Sequence, residues 1–355
     1  MYKMRITVLA GGTSTERDIS IVTGTKVTQA LRSRGHKVAM VDVFCGIENR
    51  EGAGTEECFE ELSGMEAEAA AAYMHTFDDR LDRMKTYRVE NRLGFFGPRV
   101  LDLCQHADIV FMALHGSNGE DGKIQAAFEL MGIPFTGSNY LGSALAMDKE
   151  VTKQLFRENH VPTPWGIVLH KGDVLVSAAE NEVGLPCVVK PACGGSSVGV
   201  SVVHTQAEYE KAVDEGFTYE DVLVVERYIK GREFSVGIVD GMAYPVIEIA
   251  PISGFYDYHN KYAAGSTVET CPANISREVR DRIQEAAVRA YRALRVDSYG
   301  RVDVMMDAQD NVYCLEVNTL PGMTPTSLLP QEAAALGMDF AGLCERLIEV
   351  SLDRS

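Results

Sequence analysis

The strongest constraint on the fold lies near the start of the chain, where a glycine pair stands between a strand and a helix. Residues 5–10 (RITVLA) have the pattern of a short buried strand and run directly into Gly11-Gly12. Capping residues and early acids then begin a helix that Gly35 ends, and residues 38–44 (VAMVDVF) are typical of a second strand. This strand–glycine–helix–strand order predicts a parallel, doubly wound sheet.

The length of 355 residues corresponds to about two to three domains of roughly 150 residues each. We expect an α/β N-terminal part at 1–138 with an acidic, alanine-rich insertion at about 46–97. Two α+β parts follow, 139–225 with a glycine-rich loop and 226–355 with a long loop and a polar hairpin. The prolines of Val161-Pro162-Thr163-Pro164 indicate a linker. Further elements are expected at 57–74 and 143–159 (helices) and at 133–136, 198–203 and 242–249 (strands).

Composition and charge exclude several classes of protein. The 51 Asp and Glu residues outnumber the 34 Lys and Arg residues and give a net charge of −17, which argues against a nucleic-acid or anionic-membrane surface. No apolar run approaches the ~18 residues of a membrane helix, and the first residues lack the apolar core of a signal peptide. The eight cysteines include no CxxC pair, which suits a reducing compartment. We therefore expect a cytoplasmic protein without nucleic-acid or membrane partners.

Segment 301–318 (RVDVMMDAQDNVYCLEVN) predicts a β-hairpin with a polar face. We expect a two-residue turn at Gln309-Asp310. Because side chains alternate along a strand, Val302, Val304 and Met306 then fill the opposite, apolar face. The predicted register pairs Arg301 with Asn318 and Asp303 with Glu316.

This polar face predicts a metal site. Cys314, Glu316 and Asn318 share one face of the returning strand, and Glu316 meets Asp303 across the hairpin. Two carboxylates and a carboxamide repel one another unless a hard cation lies between them, and such oxygen ligands suit Mg²⁺ shared with substrate phosphates. The alternative is a solvated sheet face that bears ordinary charges.

A second candidate is the glycine-rich loop in residues 188–199 (VVKPACGGSSVG). Glycines let backbone N–H groups approach a phosphate, the serines add hydroxyl donors, and Lys190 at the end of a buried strand can neutralise phosphate charge. The spacing fits neither a Walker A motif nor GxGxxG. A flexible hairpin turn is the alternative.

Three further features are less specific. The Gly11-Gly12 turn at a helix N-terminus can bind an anion, or Glu16 in the first turn can bind a substrate amine, although a favourable charge–dipole placement explains Glu16 equally well. The aromatic-rich loop 253–267 is typical of an active-site lid, or of an Ω-loop packed on itself. His115, at a strand end, is structural unless that end lines a cleft.

Several motifs follow one another in a fixed order along the chain. They are Ala113-Leu114-His115-Gly116, Gly119-Glu120-Asp121-Gly122, Ala146-Met147-Asp148-Lys149, the glycine loop, the Tyr-Asp-Tyr-x-x-Lys-Tyr run that ends at Tyr262, Gly300-Arg301-Val302-Asp303-Val304 and Glu316-Val317-Asn318-Thr319-Leu320-Pro321-Gly322-Met323. In combination, these segments resemble the D-alanine–D-alanine ligases of the ATP-grasp superfamily, over nearly the whole chain from Gly11 to Pro330, with an interruption by the insertion at 46–97.

The resemblance implies a doubly wound N-terminal domain followed by a two-subdomain ATP-grasp fold. It implies that ATP drives the joining of two D-alanines through a D-alanyl phosphate, with release of ADP and phosphate, for peptidoglycan synthesis. The implied cofactors are ATP and two Mg²⁺ (or Mn²⁺) ions per site, and the implied assembly is a homodimer.

The resemblance also implies a role for individual residues. ATP would be bound by Lys149, Lys190, Gly194, Gly195, Ser196, Ser197, Glu226, Ile229, Glu233, Lys261 and Asn318. Metal ions would be held by Asp303, Glu316 and Asn318. The substrates would be bound by Glu16, His115, Lys261, Arg301, Gly322 and Ser327, and catalysis would involve Glu16, Ser196, Tyr262, Arg301, Gly322 and Ser327.

By the same resemblance, Tyr262 favours an amine nucleophile and hence D-alanine as the second substrate. Two departures from the family pattern, Ala192-Cys193-Gly194 and Pro325, bear on second-substrate selectivity. The alternatives are a ligase that joins D-alanine to D-serine or D-lactate, another ATP-grasp amino-acid ligase, and an inactive nucleotide-binding regulator.

Overall fold

The computed structural model describes residues 2–47, 53–173, 177, 182–195, 198–252 and 267–354. It divides into two compact units, and the chain passes between them more than once. The first unit comprises Met1–Ser143, Asp297–Tyr299 and Thr319–Ser355, and the second comprises Ala144–Val296 and Gly300–Asn318. The three-part division at 138/139 and 225/226 stays a prediction. Within the described ranges, no helix is long and apolar enough to cross a membrane.

The first unit contains the predicted parallel sheet. Its strands β1 (Arg5–Ala10), β2 (Lys37–Asp42) and β3 (Ile109–Met112) lie in the order β2-β1-β3. Both pairings are parallel, with Val8 opposite Met40 on one side and Phe111 on the other. The expected strand at 133–136 is reduced to one bridge, between Phe135 and Val110.

Between Arg17 and Met131, the described residues form six helices, three of them in the insertion. They are α1 (Arg17–Ser33), α2 (Thr55–Gly64), α3 (Ala67–His75), α4 (Leu81–Glu90), α5 (Val100–His106) and α6 (Lys123–Met131). The prediction of one helix at 57–74 was wrong, because Met65 is extended and separates α2 from α3. A 3₁₀ turn, Asp78–Arg80, precedes α4. The helices Leu328–Ala335 and Phe340–Leu352 complete the unit.

The second unit contains two largely antiparallel sheets. The first has the order β4-β7-β5-β6, and the second has β11-β10-β8-β12-β13, with β9 paired to β8. The strands are β4 (Gly166–His170), β5 (Cys187–Pro191), β6 (Ser201–Val203), β7 (Val222–Arg227), β8 (Gly231–Val239), β9 (Met242–Ala243), β10 (Ile247–Pro251), β11 (Thr267–Thr270), β12 (Tyr299–Asp307) and β13 (Val312–Asn318). The helices among its described residues are α8 (Lys149–Glu158), α9 (Gln206–Gly216) and Arg277–Ala293, and α7 (Tyr140–Met147) leads into it.

For three elements of this region, the predicted boundaries were wrong. The helix expected at 143–159 is two helices, because Asp148 leaves the helical conformation and caps α8, accepting a hydrogen bond from the backbone N–H of Val151 at 3.1 Å. The strand expected at 242–249 is interrupted between β9 and β10, and the strand at 198–203 begins only at Ser201. The break at Asp148 makes Lys149 the first residue of a new helix.

Phe156 on α8 is fully buried in the apolar core of the second unit, together with Phe234, Ile283 and Val302. We expect Phe156→Ala to lower the free energy of unfolding by about 3–5 kcal/mol, because it removes buried surface and leaves a cavity. Urea denaturation measures this loss. Gln154→Ala, an exposed position on the same helix, serves as the control. A loss below about 1 kcal/mol for Phe156→Ala would contradict its place in the core.

Candidate active site

The hairpin of β12 and β13 places two carboxylates opposite each other. Asp303 pairs with Glu316 and Arg301 pairs with Asn318, which confirms the predicted register at these positions. The predicted two-residue turn was wrong: the backbone N–H of Asp307 donates to the carbonyl of Asn311, so three residues form the turn. A β-bulge next to Asp303 compensates for this one-residue difference.

The bulge also changes which side chains share a face. Beyond it, Val304 pairs with Cys314, which leaves Leu315 without a partner in the ladder. Cys314 therefore lies in the apolar core and not beside Glu316. The expectation that Cys314 shares the polar face was wrong, because the extra residue reverses the alternation of β13.

Asp303 is the centre of a hydrogen-bonded cluster in the second unit. Its Oδ1 accepts from Ser235 Oγ at 2.8 Å and from Arg301 Nε at 2.9 Å. Its Oδ2 accepts from Arg301 Nη2 at 2.8 Å and from Asn318 Nδ2 at 3.1 Å. The forked contact holds the guanidinium of Arg301 in one orientation.

Lys149 connects the glycine loop to Glu316. Its Nζ lies 3.8 Å from Oε2 of Glu316 and donates to the carbonyl of Gly194 at 2.5 Å. Its backbone N–H donates to the carbonyl of Ala192 at 2.9 Å. The first residue of α8 thus contacts the loop through both its backbone and its side chain.

These groups border a cavity of about 440 Å³ within the second unit. The cavity wall includes residues from both sheets and from the glycine loop. Nine of the residues predicted to bind ATP or metal line it: Lys149, Lys190, Gly194, Gly195, Glu226, Ile229, Glu233, Asp303 and Glu316. Asn318 reaches Asp303 from the same hairpin. The wall thus combines the lysines Lys149 and Lys190, apolar residues and the two carboxylates of the hairpin. This combination fits a nucleotide together with its cation.

Lys190 and Glu226 form a buried ion pair in this wall. Lys190 Nζ lies 2.5 Å from Oε1 of Glu226, and a second lysine, Lys153, places its Nζ 2.8 Å from Oε2. Burial would raise the pKa of Glu226, but the charges of Lys153 and Lys190 outweigh burial and lower it. Glu226 is therefore a carboxylate at neutral pH.

The donor set at the hairpin fits a hard divalent cation. Asp303, Glu316 and Asn318 offer carboxylate and carboxamide oxygens, the ligand type that Mg²⁺ prefers. The two carboxylates are balanced by cationic side chains, Arg301 at Asp303 and Lys149 at Glu316. Both carboxylates also border the cavity.

The first unit brings Glu16 and His115 together. Glu16 stands at the N-terminus of α1, and its backbone N–H donates to Ser14 Oγ, which donates to the carbonyl of His115. A Cβ on Gly116 would lie 2.8 Å from Oε2 of Glu16, so the Glu16 carboxylate packs against this glycine. His115 Nε2 lies 3.2 Å from Thr23 Oγ1. Both side chains are largely buried.

The Gly11-Gly12 turn uses its amides internally. The N–H of Gly11 donates to Ser20 Oγ at 2.9 Å, and that of Gly12 faces Asp42 Oδ1 at 3.5 Å. This geometry argues against the anion-binding use predicted for the turn, and the use of Glu16 as a contact to a substrate amine stays a prediction.

Gly322 and Ser327 are neighbours in the first unit. A Cβ on Gly322 would lie 3.0 Å from Oγ of Ser327, and that Oγ accepts a hydrogen bond from the backbone N–H of Thr324 at 3.1 Å. The other predicted site residues, Ser196, Ser197, Lys261 and Tyr262, and most of the expected lid loop lie outside the described residues.

Two residues that contact this cluster of side chains were not predicted from the sequence, Ser235 and Lys153. Ser235 follows Glu233 by two positions on β8, and the alternation of a strand would have placed it on the same face. Lys153 follows Lys149 by four positions on α8, so helical spacing would have placed both lysines on one face.

Two largely antiparallel sheets and a glycine-rich loop around one cavity, with Lys149 and Lys190 in its wall, are the arrangement of the ATP-grasp class. Residues 5–138 match the model of the D-ala D-ala ligase N-terminus, and residues 163–349 match that of the D-ala D-ala ligase C-terminus. The chain belongs to the D-alanine–D-alanine ligase family.

Individual relatives agree over nearly the whole chain. A D-alanine–D-alanine ligase of Pediococcus pentosaceus is 41% identical over 346 residues, 97% of each protein. One of Lacticaseibacillus casei is 38% identical over 352 residues, 98% of this chain and 96% of the relative. The crystal structure of the Bacillus anthracis enzyme complexed with ATP is 31% identical, with a TM-score of 0.74 over 99% of this chain and 98% of that one.

Proposed function

We propose that this protein joins two D-alanines in a reaction driven by ATP, forming D-alanyl-D-alanine for peptidoglycan synthesis. The observation that carries the proposal is the cavity of the second unit. It brings Lys149 and Lys190 into the same wall as Asp303 and Glu316, as phosphate transfer from ATP requires. Family membership supplies the substrate class.

The proposed reaction has two balanced steps. A carboxylate oxygen of the first D-alanine attacks the γ-phosphorus of ATP, the bond to the bridging oxygen breaks, and ADP leaves. The product is D-alanyl phosphate. The amine of the second D-alanine then attacks the acyl carbon, the C–O bond to phosphate breaks, and the amine loses a proton as inorganic phosphate leaves.

We assign ATP to the cavity of the second unit. Lys149, Lys190 and the glycine loop at Gly194-Gly195 would bind the phosphates, since they supply cationic and backbone groups to one part of the wall. The strand-end residues Glu226, Ile229 and Glu233 would border the adenosine.

We assign the cation to Asp303, Glu316 and Asn318. When bound, Mg²⁺ or Mn²⁺, two ions per site, neutralises charge on the transferred phosphoryl group. The protein's own contribution is to hold Asp303 in place through Ser235 and Arg301.

The family resemblance supplies the roles that we assign to the predicted substrate residues. Glu16 would bind the ammonium of the first D-alanine, with His115 beside it. Arg301 and the backbone N–H of Gly322 would donate to the oxyanion of the tetrahedral intermediate. Ser327 and Lys261 would bind the carboxylate of the second substrate, while Ser196 and Tyr262 would help to exclude water from the acyl phosphate.

Phosphate release with Mg-ATP tests this function when D-alanine, L-alanine, D-serine and D-lactate are compared and the products are identified by mass. We expect phosphate and D-alanyl-D-alanine with D-alanine, and no release with L-alanine. A mixed product with D-serine or D-lactate in preference to D-alanine would reassign the second substrate. Nucleotide binding without turnover on any of these would contradict the proposal.

Glu16→Gln tests the ammonium site. Because a hydrogen bond to a charged group contributes about 1.5–3 kcal/mol, we expect KM for the first D-alanine to rise about tenfold or more while ATP affinity is unchanged. Steady-state kinetics measures both. Asp18→Asn, an exposed neighbour on α1, is the matched control. An unchanged KM in Glu16→Gln would remove Glu16 from this role.

We also propose that the protein is a cytoplasmic homodimer, as the family resemblance implies. Its net charge of −17 is compatible with small anionic substrates because the inward-facing cations of the cavity bind them locally. Sedimentation of the full chain measures the oligomeric state.

A further inference from the structure

Lys153 is a buried lysine that the proposed reaction does not use. It lies on α8 and is only 3% exposed. Its Nζ lies 2.8 Å from Oε2 of Glu226 and donates to Thr163 Oγ1 at 2.7 Å. Lys153 is absent from the cavity wall, whereas Glu226 belongs to it. A buried lysine is unfavourable unless partners compensate its charge. The partners of Lys153 therefore indicate the role of this charge.

Lys153 shares one carboxylate with Lys190. Glu226 contacts Lys153 through Oε2 and Lys190 through Oε1. Two positive charges therefore face one negative charge, and the cluster carries a surplus positive charge beside the cavity. Without Lys153, Glu226 would neutralise Lys190 fully, and the wall would attract an anion less.

We propose that Lys153 is a positioning residue for ATP binding: it holds one oxygen of Glu226 and thereby keeps the charge of Lys190 available to phosphate. This inference rests on the proposed ATP-dependent function and adds to it a residue outside the nucleotide cavity. Lys153 acts through Glu226 and does not contact the ligand.

The same lysine joins the two sheets that form the cavity. Thr163, its hydroxyl partner, donates to the carbonyl of Cys314 on β13 at 2.8 Å. The backbone N–H of Cys314 in turn donates to the carbonyl of Pro162 at 2.7 Å. Lys153 thus contacts β7 through Glu226 and is linked to β13 through Thr163. Its loss would affect the cavity from both sides.

The charge of Lys153 changes within a pH range that binding experiments can reach. The charged and titratable groups that face it are Glu226, Lys190 and Cys314. Burial lowers the pKa of Lys153 to about 8, although Glu226 opposes this effect and Lys190 adds to it. Burial raises the pKa of Cys314 to about 12, so this thiol stays neutral in that range.

The sign of the pH effect follows from this charge balance. Below about pH 8, Lys153 is protonated and the cluster has its surplus positive charge. As pH rises through about 8, Lys153 loses its proton and the surplus is lost. Because ATP is an anion, its affinity for the protein falls over the same range.

Titration calorimetry of Mg-ATP with the full chain, at about pH 7 and about pH 9, tests the inference in three variants. For the wild type we expect weaker binding at the higher pH. Lys153→Met should bind about tenfold more weakly at the lower pH, a difference of about 1.4 kcal/mol, because Glu226 then offsets the charge of Lys190, and it should show no pH dependence. Lys153→Arg keeps its charge at both values, so it should bind ATP nearly as well as the wild type without the decline.

The matched control is Arg157→Met, which removes an exposed cation from the same helix and should leave ATP affinity unchanged. A structural role alone would weaken ATP binding by the same factor at both pH values, whereas the proposed role weakens it only at the lower pH, where Lys153 of the wild type is charged. Equal pH profiles in the wild type and Lys153→Met would overturn the inference. If Lys153→Met does not fold, the wild type still decides: equal ATP affinity of the wild type at the two pH values would overturn the inference. ATP binding without D-alanine turnover would contradict the proposed function and leave this test intact.

Discussion

Glu316→Gln is expected to abolish cation-dependent turnover, with kcat reduced by about 10³-fold or more. The substitution keeps the shape of the side chain and removes its charge. Glu316 borders the cavity, stands opposite Asp303 in the hairpin and faces Lys149 at 3.8 Å. The proposed cation would lose one of its two carboxylates, and Lys149 would lose its counter-charge.

Phosphate release measured over a range of Mg²⁺ concentrations tests this prediction. We expect a low maximal rate and a need for more Mg²⁺, and Mn²⁺ should show the same pattern. Glu285→Gln, an exposed carboxylate on the helix Arg277–Ala293, is the control and should behave as the wild type. A wild-type rate with wild-type Mg²⁺ dependence in Glu316→Gln would disprove the metal assignment.

Arg301→Ala is expected to lower kcat by about 10²-fold or more while the protein still binds ATP, because it removes a proposed donor to the oxyanion. Arg301 also holds Asp303 through two hydrogen bonds, so its loss would affect the proposed cation site as well. Arg301→Lys separates these effects. It keeps the positive charge and loses the fork, and we expect an intermediate rate.

Rapid-quench kinetics with calorimetric ATP binding measures both variants. Arg282→Ala removes an exposed arginine from the same unit and serves as the control. A rate within about threefold of the wild type in Arg301→Ala would exclude the oxyanion role. A loss of ATP binding that parallels the loss of rate would instead assign Arg301 to the nucleotide.

The pairing of Asp303 with Glu316 shows what sequence reasoning can and cannot reach. Alternation along two strands predicted that these carboxylates meet, and the register is as predicted. The turn was wrong by one residue, and the bulge next to Asp303 compensates for it. A bulge has no reliable local signal in the sequence. The predicted register was correct at Asp303 only because the longer turn and the bulge each shift the pairing by one residue and cancel each other. The position of Cys314 was wrong for this reason: its face was predicted from unbroken alternation, whereas its side chain lies in the apolar core.

The start of α8 shows a different limit. The apolar pattern over 143–159 continues without interruption, and periodicity alone therefore predicts one helix. Asp148 divides it, since its side chain caps the second helix, and this break lets Lys149 meet the glycine loop. An aspartate within a helical pattern signals a possible cap, but only the fold decides between cap and interior.

The charge network around Glu226 could not be predicted from local patterns. Lys153, Lys190 and Glu226 come from three elements separated by many residues, and tertiary packing alone brings them together. By contrast, the parallel sheet of the first unit followed directly from its short strands and the glycine pair. The Tyr262 selectivity hypothesis lies outside the described residues and stays a prediction.

The most direct test of the account follows labelled oxygen through the reaction. D-alanine with ¹⁸O in both carboxylate oxygens is incubated with Mg-ATP and the full chain, and phosphate and dipeptide are analysed by mass. Transfer through D-alanyl phosphate predicts one ¹⁸O in each inorganic phosphate formed, with ADP and D-alanyl-D-alanine as the other products. Unlabelled phosphate, or AMP in place of ADP, would contradict the central claim that ATP activates the D-alanine carboxylate by transferring its γ-phosphate.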